Sequence, residues 1–217
     1  MAENALRRAT NIVTVSKSVA AELRESGLVD DRTSITPIPL GVTPLPHGDE
    51  LINRRPYMLA VGTLEPRKNL LRLVDAFRKS KISKDFDLLI IGRVAWGKVP
   101  SADGVRVLSS ATDQTLGSAY AQAHAFICPS IYEGFGLPIV EAASFGLPIA
   151  CSDIPVFHEV TRGHAIFFDP FSEASMVNAL RKLAYSKSPL VVPKCEMAKY
   201  TWENAATALS SILLNIP

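Results

Sequence analysis

Glu133 and Glu141 stand with seven residues between them, and those residues begin Gly134-Phe135-Gly136-Leu137-Pro138. The stretch follows the apolar run Ala125-Phe126-Ile127-Cys128 and leads into a helical pattern. Gly134 and Gly136 carry no Cβ, so their backbone amides can come close to a ligand. Pro138 suits the first position of a helix, where a missing N–H costs nothing. A helix that begins this way is an anion site, most often for phosphate. A carboxylate at each end asks for hydroxyls as well. A nucleotide-activated sugar offers both. Paired carboxylates also serve acid–base hydrolysis of glycosides, but the phosphate-type loop between these two argues against that use.

Arg67 and Lys68 form the second candidate pair. They follow the apolar run Tyr57 to Val61, then Gly62-Thr63-Leu64-Glu65-Pro66, and precede a helix that Asn69 is placed to cap. Cations fixed in a dry cleft neutralise the charge that grows on a leaving diphosphate. Gly92-Arg93-Val94-Ala95-Trp96-Gly97-Lys98 brings an aromatic and two more cations to another loop, where Trp96 serves equally as ligand contact or hydrophobic anchor.

These loops need a frame. Short apolar runs at Tyr57 to Val61, Asp87 to Ile91, Val105 to Leu108, Ala125 to Cys128, Pro148 to Cys151 and Ala165 to Phe168 read as strands. Between them Leu70, Leu71, Val74 and Phe77 share a helical face, as do Leu116, Ala119, Tyr120 and Ala123, and Met176, Leu180 and Leu183. Strands of this kind alternating with helices predict an α/β domain, a doubly wound parallel sheet covered on both faces. Such sheets bind ligands beyond the carboxyl ends of their strands, the rim that Gly62, Gly92 and Pro129-Ser130 share. Ahead of Tyr57, Asn11 to Ser16 and Thr33 to Leu40 read as strands around a helix at Ser18 to Arg24, and Gly41 to Pro56 as a linker rich in turn residues.

The 217 residues fit one or two domains, and 47% hydrophobic with 20% charged residues is ordinary for a globular chain. A formal charge of +2 without a basic run gives no argument for nucleic acid. Cys128, Cys151 and Cys195 lack a C-x-x-C spacing; the first two end apolar strands and read as buried free thiols. His124 reads as structural and His158 as a surface residue beside Glu159, while His47 and His164 have no evident partner, so no metal site is legible. Met1 to Arg8 lacks the apolar core of a signal peptide. No stretch approaches the roughly 18 apolar residues of a membrane span. The chain reads as cytosolic.

Four ordered segments carry a resemblance. Glu133 to Glu141 with its glycine loop is similar to the E-x7-E motif of family 4 retaining glycosyltransferases, enzymes of the two-domain GT-B fold. Val61-Gly62-Thr63-Leu64-Glu65-Pro66-Arg67-Lys68-Asn69 resembles that family's strand-to-helix phosphate segment. Ser152-Asp153-Ile154-Pro155-Val156-Phe157-His158-Glu159-Val160 resembles its post-strand loop, and Tyr200-Thr201-Trp202-Glu203-Asn204-Ala205-Ala206 its final helix. The resemblance runs from about Asn11 to the C-terminus.

It implies that the chain is the C-terminal, Rossmann-like half of a GT-B enzyme. Residues 1–44 would be a remnant of the preceding acceptor domain with its linker, 45–190 the nucleotide-sugar domain, and 191–217 a helix returning toward the missing domain. Glu133 would contact the transferred sugar and act with Lys68 in catalysis. Glu141 would accept hydrogen bonds from ribose, with helix-end stabilisation as the plainer role. Gly62, Thr63, Arg67, Arg93, Leu108, Gly134, Phe135, Gly136 and Leu137 would complete the donor site, the loop after Val107 and Leu108 bracketing the base. The family often has arginine where Thr63 stands, and Arg93 is the candidate replacement. The resemblance to bacterial mannosyltransferases puts GDP-mannose first as donor and UDP-glucose next. It implies no metal, a glycan or lipid-linked acceptor held by the missing domain, and peripheral attachment of the full-length enzyme at the inner face of the plasma membrane. A GT-B sugar-nucleotide epimerase and a non-catalytic nucleotide-sugar module stay open as alternatives. Alone, the chain is expected to bind donor without transferring it.

Overall fold

The computed structural model describes residues 2–48, 52–94 and 101–214. A first layer comprises α1 (Ala2–Arg8), β1 (Asn11–Thr14), α2 (Lys17–Glu25) and β2 (Ser34–Pro37), the two strands pairing in parallel. Beyond the linker come β3 (Tyr57–Val61), α3 (Leu70–Ser80), β4 (Asp87–Ile91), β5 (Val105–Leu108), α4 (Asp113–Gln122) and β6 (Ala125–Cys128). They are followed by α5 (Leu137–Ser144), β7 (Ile149–Ser152), α6 (Pro155–Thr161), β8 (Ile166–Phe168), α7 (Glu173–Tyr185), α8 (Lys194–Met197) and α9 (Trp202–Leu214).

The six strands β3 to β8 form one parallel sheet in the order β5-β4-β3-β6-β7-β8. Alternation along each strand supplies two cores. Tyr57, Leu59, Leu89, Ile91, Phe126 and Cys128 face the side covered by α4, α5 and α6. Met58, Ala60, Leu88, Ile90, Ala125 and Ile127 face the side covered by α3 and α7. Burial on both faces explains why these strands read as unbroken apolar runs. Strand order reverses between β3 and β6, so their connections leave in opposite directions and open a crevice at their carboxyl ends. A doubly wound sheet binds its ligand there.

The expected strands β3 to β6 stand at the expected residues. β7 and β8 each begin one residue later, at Ile149 and Ile166; Pro148 has no N–H to give the ladder and contributes only its carbonyl, to Phe126 N at 2.9 Å. The two N-terminal strands are shorter than expected. On α3 the buried stripe is Leu70, Leu73, Val74 and Phe77, and Leu71 is exposed, since a residue one step along a helix points about 100° away. Asn69 does not cap α3. It sits in the left-handed region at φ 57° and its amide donates instead to Pro170 O at 2.8 Å.

The first layer is fastened to the domain through Glu159, through Ser16 and through the Tyr132–Glu22 contact. Glu159 on α6 accepts from the backbone N–H groups of Lys17 and Ser18, both at 3.1 Å, and so places a carboxylate on the N-terminus of α2. Ser16 caps the same helix, accepting from Val19 N, and donates its hydroxyl to Gly134 O at 2.7 Å. The linker crosses the domain closely. A Cβ on Gly41 would meet Trp202 N at 2.2 Å, and one on Gly117 would meet Pro46 O at 2.1 Å. α9 buries none of its residues, and Leu209, Leu213 and Leu214 are exposed. No helix among the described residues is long and apolar enough to cross a membrane.

Glu159→Ala should unfasten α2 at the cost of two charge-assisted hydrogen bonds, about 1–2 kcal/mol. A thermal melt should fall by about 2–4 °C for each kcal/mol lost; an unchanged melt would show that the first layer is held elsewhere.

Candidate functional site

Two loops meet at the crevice. The loop after β3 turns at Gly62, whose φ of 155° no other residue adopts comfortably. It then makes a 3-10 turn at Pro66–Lys68. A Cβ on Gly92 would sit 1.9 Å from Gly62 O, so the carboxyl ends of β3 and β4 can approach only because position 92 is glycine. The loop after β6 runs from Pro129 through Gly136, which enters α5 in the left-handed region at φ 91° with Phe157 packed beneath it. A backbone bond from Ile131 N to Arg67 O, 2.8 Å, ties the loops together.

Side chains tie them more firmly. Glu133 is buried, and its Oε1 accepts from Lys68 Nζ at 2.5 Å and from Ser130 Oγ at 2.8 Å. Oε2 accepts from Arg67 Nη1 at 2.9 Å, and Arg67 reaches Glu65 at 2.7 Å with its other nitrogen. The stem of Lys68 lies across Gly62, its Cδ and Cε 3.4 Å from where a Cβ would stand. Two cations and two carboxylates thus form one formally neutral cluster. Below it, burial pushes the Cys128 thiol up to about 11, and the charge of Glu133 adds to the effect. Cys128 and Cys151 are buried, unbridged thiols, as expected, and Cys195 is exposed.

Glu133, expected to meet the sugar, is held here by the two cations expected to meet a diphosphate. Sequence could not show this, because Lys68 and Arg67 lie more than sixty positions away and meet Glu133 only through the pairing of β3 with β6.

The glycine loop leads into α5 at Leu137. The backbone N–H groups of Gly134, Phe135, Gly136 and Leu137 take no acceptor among the described residues. Four free amides at a helix entrance make an anion cradle. Phe135 is buried, edge-on to the Tyr200 ring at 5.5 Å, so its backbone rather than its ring faces any ligand. Pro138 is the second residue of α5, not the first.

Glu141 is the fifth residue of α5, beyond the first turn where the helix dipole favours a carboxylate. Burial raises its pKa above the usual carboxylate range, partly opposed by the Tyr120 hydroxyl, which donates to Oε2 at 2.8 Å. Helix-end stabilisation does not account for it. One oxygen is fixed by Tyr120, and Oε1 takes no donor among the described residues. Tyr120 keeps its proton, since burial and then the charge of Glu141 push its pKa well above the ordinary value. The sequence places Tyr120 on a helical face and Ser130 at the ligand rim but does not show that their hydroxyls hold Glu141 and Glu133. A buried tyrosine needs a partner for its hydroxyl, which was the available signal, but nothing local names that partner.

Thr63 and Arg93 lie at the same rim, where Arg93 O accepts from Leu64 N at 2.8 Å. The Arg93 side chain is exposed and has no ion pair among the described residues. Leu108 ends β5 on the far side of β4. Trp96, Gly97 and Lys98 lie outside the described residues. His124 is structural, its ring 4.6 Å from Phe86. His158, exposed, stacks on Phe167 at 3.8 Å and pairs with Asp153. Among the described residues no cluster of His, Cys, Asp and Glu is arranged to hold a metal ion. A cavity of about 390 Å³ between the linker, α5 and α8 is lined by none of the cluster residues.

Comparison with known proteins gives one family. Residues 47–206 match the family described as "Glycosyl transferases group 1". The serotype-specific mannosyltransferase WbdA of Escherichia coli is 32% identical over 174 residues, covering 75% of this chain and 21% of that protein. The O-antigen chain mannosyltransferase RfbU of Salmonella typhimurium is 29% identical over 211 residues, covering 92% of this chain and 58% of its own length. The chain thus spans only part of these relatives. Among solved structures, sucrose-phosphate synthase from Thermosynechococcus elongatus superposes with a TM-score of 0.79 at 21% identity, over 98% of this chain and 59% of that one. Anabaena HepE in complex with UDP and glucose superposes with a TM-score of 0.82 at 14% identity, over 99% of this chain and 66% of that one. Both likenesses establish the fold, that of the Rossmann-like domains of GT-B glycosyltransferases.

The buried charge of Glu141 makes a stability prediction. Its folded pKa is raised, so its contribution is favourable below its unfolded pKa and is lost as pH rises through the folded value. Glu141→Gln should accordingly raise the melting temperature at pH 7. The gain should shrink as pH falls through the raised titration range of Glu141 and vanish once the carboxyl is protonated in both states. A variant less stable at pH 7 would place the carboxylate in a stabilising role instead.

Proposed function

We propose that this chain, which belongs to the group 1 glycosyl transferases, is the donor-binding domain of a retaining hexosyltransferase, with mannose from GDP-mannose the favoured transfer. The observation that carries the reading is the convergence, at the reversal of strand order, of two cations, four unpaired amides and two carboxylates. A nucleoside diphosphate sugar fits this set group by group. The diphosphate takes the amides of Gly134 to Leu137 with Lys68 and Arg67. The free oxygen of Glu141 accepts from ribose, the sugar hydroxyls go to Glu133, and the base lies toward Leu108, with Thr63 and Arg93 at the rim. The mannosyltransferase relatives support mannose, and UDP-glucose is the competing donor.

In such a transfer the bond from the anomeric carbon to the diphosphate breaks and the leaving group gains negative charge. Lys68, Arg67 and the loop amides would stabilise that charge without reorganising, which is where most of the catalytic effect of such a site arises. In this reading no metal is required, because these groups carry the charge. The exposed apolar residues of α9 and the greater length of the relatives support a further domain, which in this reading binds a glycan or lipid-linked acceptor.

Calorimetric titration with GDP-mannose, UDP-glucose, GDP, UDP and the free nucleosides tests the reading. One sugar nucleotide and its diphosphate should bind, and Lys68→Ala should weaken that diphosphate about tenfold or more, the loss of a charge-assisted contact of about 1.5–3 kcal/mol. The free nucleoside should be indifferent to the change. Absence of binding by every nucleotide, or an equal loss for nucleoside and diphosphate, would overturn the assignment.

A further inference from the structure

The neutral cluster at the crevice has a functional meaning beyond donor binding. We propose that Glu133 is the residue by which the site distinguishes intact donor from spent nucleoside diphosphate, acting as an internal competitor for Lys68 and Arg67. This rests on the donor-site reading above.

Glu133 sits on both cations that the donor-site reading assigns to the diphosphate. It holds both cations and the Ser130 hydroxyl and is 9% exposed. A ligand phosphate can take the full charge of Lys68 and Arg67 only when Glu133 lets go. Its apparent affinity is then the intrinsic affinity multiplied by the fraction of molecules in which the carboxylate is released. A released carboxylate at a partly buried position needs new donors, or its desolvation opposes release.

Donor and product differ in what they offer. A sugar nucleotide brings hexose hydroxyls that donate to Glu133 as it leaves the cations. A bare nucleoside diphosphate brings none. Its terminal phosphate carries an additional negative charge, which by electrostatics alone would make it the tighter ligand for two cations. Glu133 reverses that order. After transfer the hexose has gone to the acceptor, Glu133 loses its hydroxyl partners, and its return to Lys68 and Arg67 displaces the diphosphate. Ser130, three residues before Glu133 and itself 1% exposed, holds the carboxylate in the closed position.

The test compares GDP-mannose with GDP, and UDP-glucose with UDP, on the wild-type chain and on Glu133→Gln, at fixed ionic strength. Glu133→Gln should bind the bare diphosphate about fivefold or more tightly than wild type, while the sugar nucleotide weakens. The ratio of the two affinities should then fall about tenfold or more. A diphosphate affinity that is unchanged or reduced in the variant would overturn the proposal, because it would mean that Lys68 serves carboxylate and phosphate together. Should neither pair bind wild type, the donor-site reading itself fails. Ser130→Ala, which keeps the charge and frees the carboxylate, covers the case in which Glu133→Gln does not fold. It should tighten the bare diphosphate by about two- to fivefold, and no tightening would again contradict the mechanism.

Discussion

The contact between Glu133 and the pair Lys68–Arg67 joins the two halves of the sheet at the place where strand order reverses. β3 and β6 are neighbours with connections departing on opposite sides, so their loops would otherwise diverge. Two charged hydrogen bonds, from Arg67 and Lys68 to Glu133, and the backbone bond between Ile131 and Arg67 close that gap. The glycine loop that opens α5 is thereby held beside the cluster, its four amides without an acceptor among the described residues. The first layer reinforces the same point, because Ser16 anchors Gly134 O and the Tyr132 hydroxyl donates to Glu22 at 2.9 Å. Fold and site share this contact.

A buried ion pair is weak evidence for stability, since desolvation of both partners offsets their attraction. Its value here lies in what its breaking does. In the proposed site an arriving diphosphate would take the place of the carboxylate at the same cations, and the carboxylate would be redirected. Glu141 shows the complementary arrangement. Its burial opposes ionisation and Tyr120 supports it, leaving one acceptor oxygen poised and unpaired. Burial holds the Glu141 carboxylate away from its ordinary ionisation, as expected of a group kept for a ligand.

The alternation of strands and helices was legible in the sequence because each strand is apolar on both faces and each helix shows its own stripe. Four strands of the main sheet were read to the residue. Local chemistry decided the departures: Pro148 cannot donate to the ladder, Leu71 lies one step off the Leu70–Val74–Phe77 stripe, and Asn69 adopts a left-handed conformation that sends its amide to Pro170. Residue types around Glu133 and Glu141 marked the site, but their partners did not show. Ser130 and Tyr120 act through contacts fixed by tertiary packing, and the capture of Glu133 by cations from another loop depends on strand order, which no local pattern encodes.

A double-mutant cycle on unfolding free energy, using Lys68→Met, Glu133→Gln and the combined variant without ligand, tests most directly whether this contact joins the two loops. The coupling between the two positions should be about 1–3 kcal/mol, the range for residues in one buried network. A coupling near zero would mean that Lys68 and Glu133 are independent in the unliganded protein, and would contradict the account.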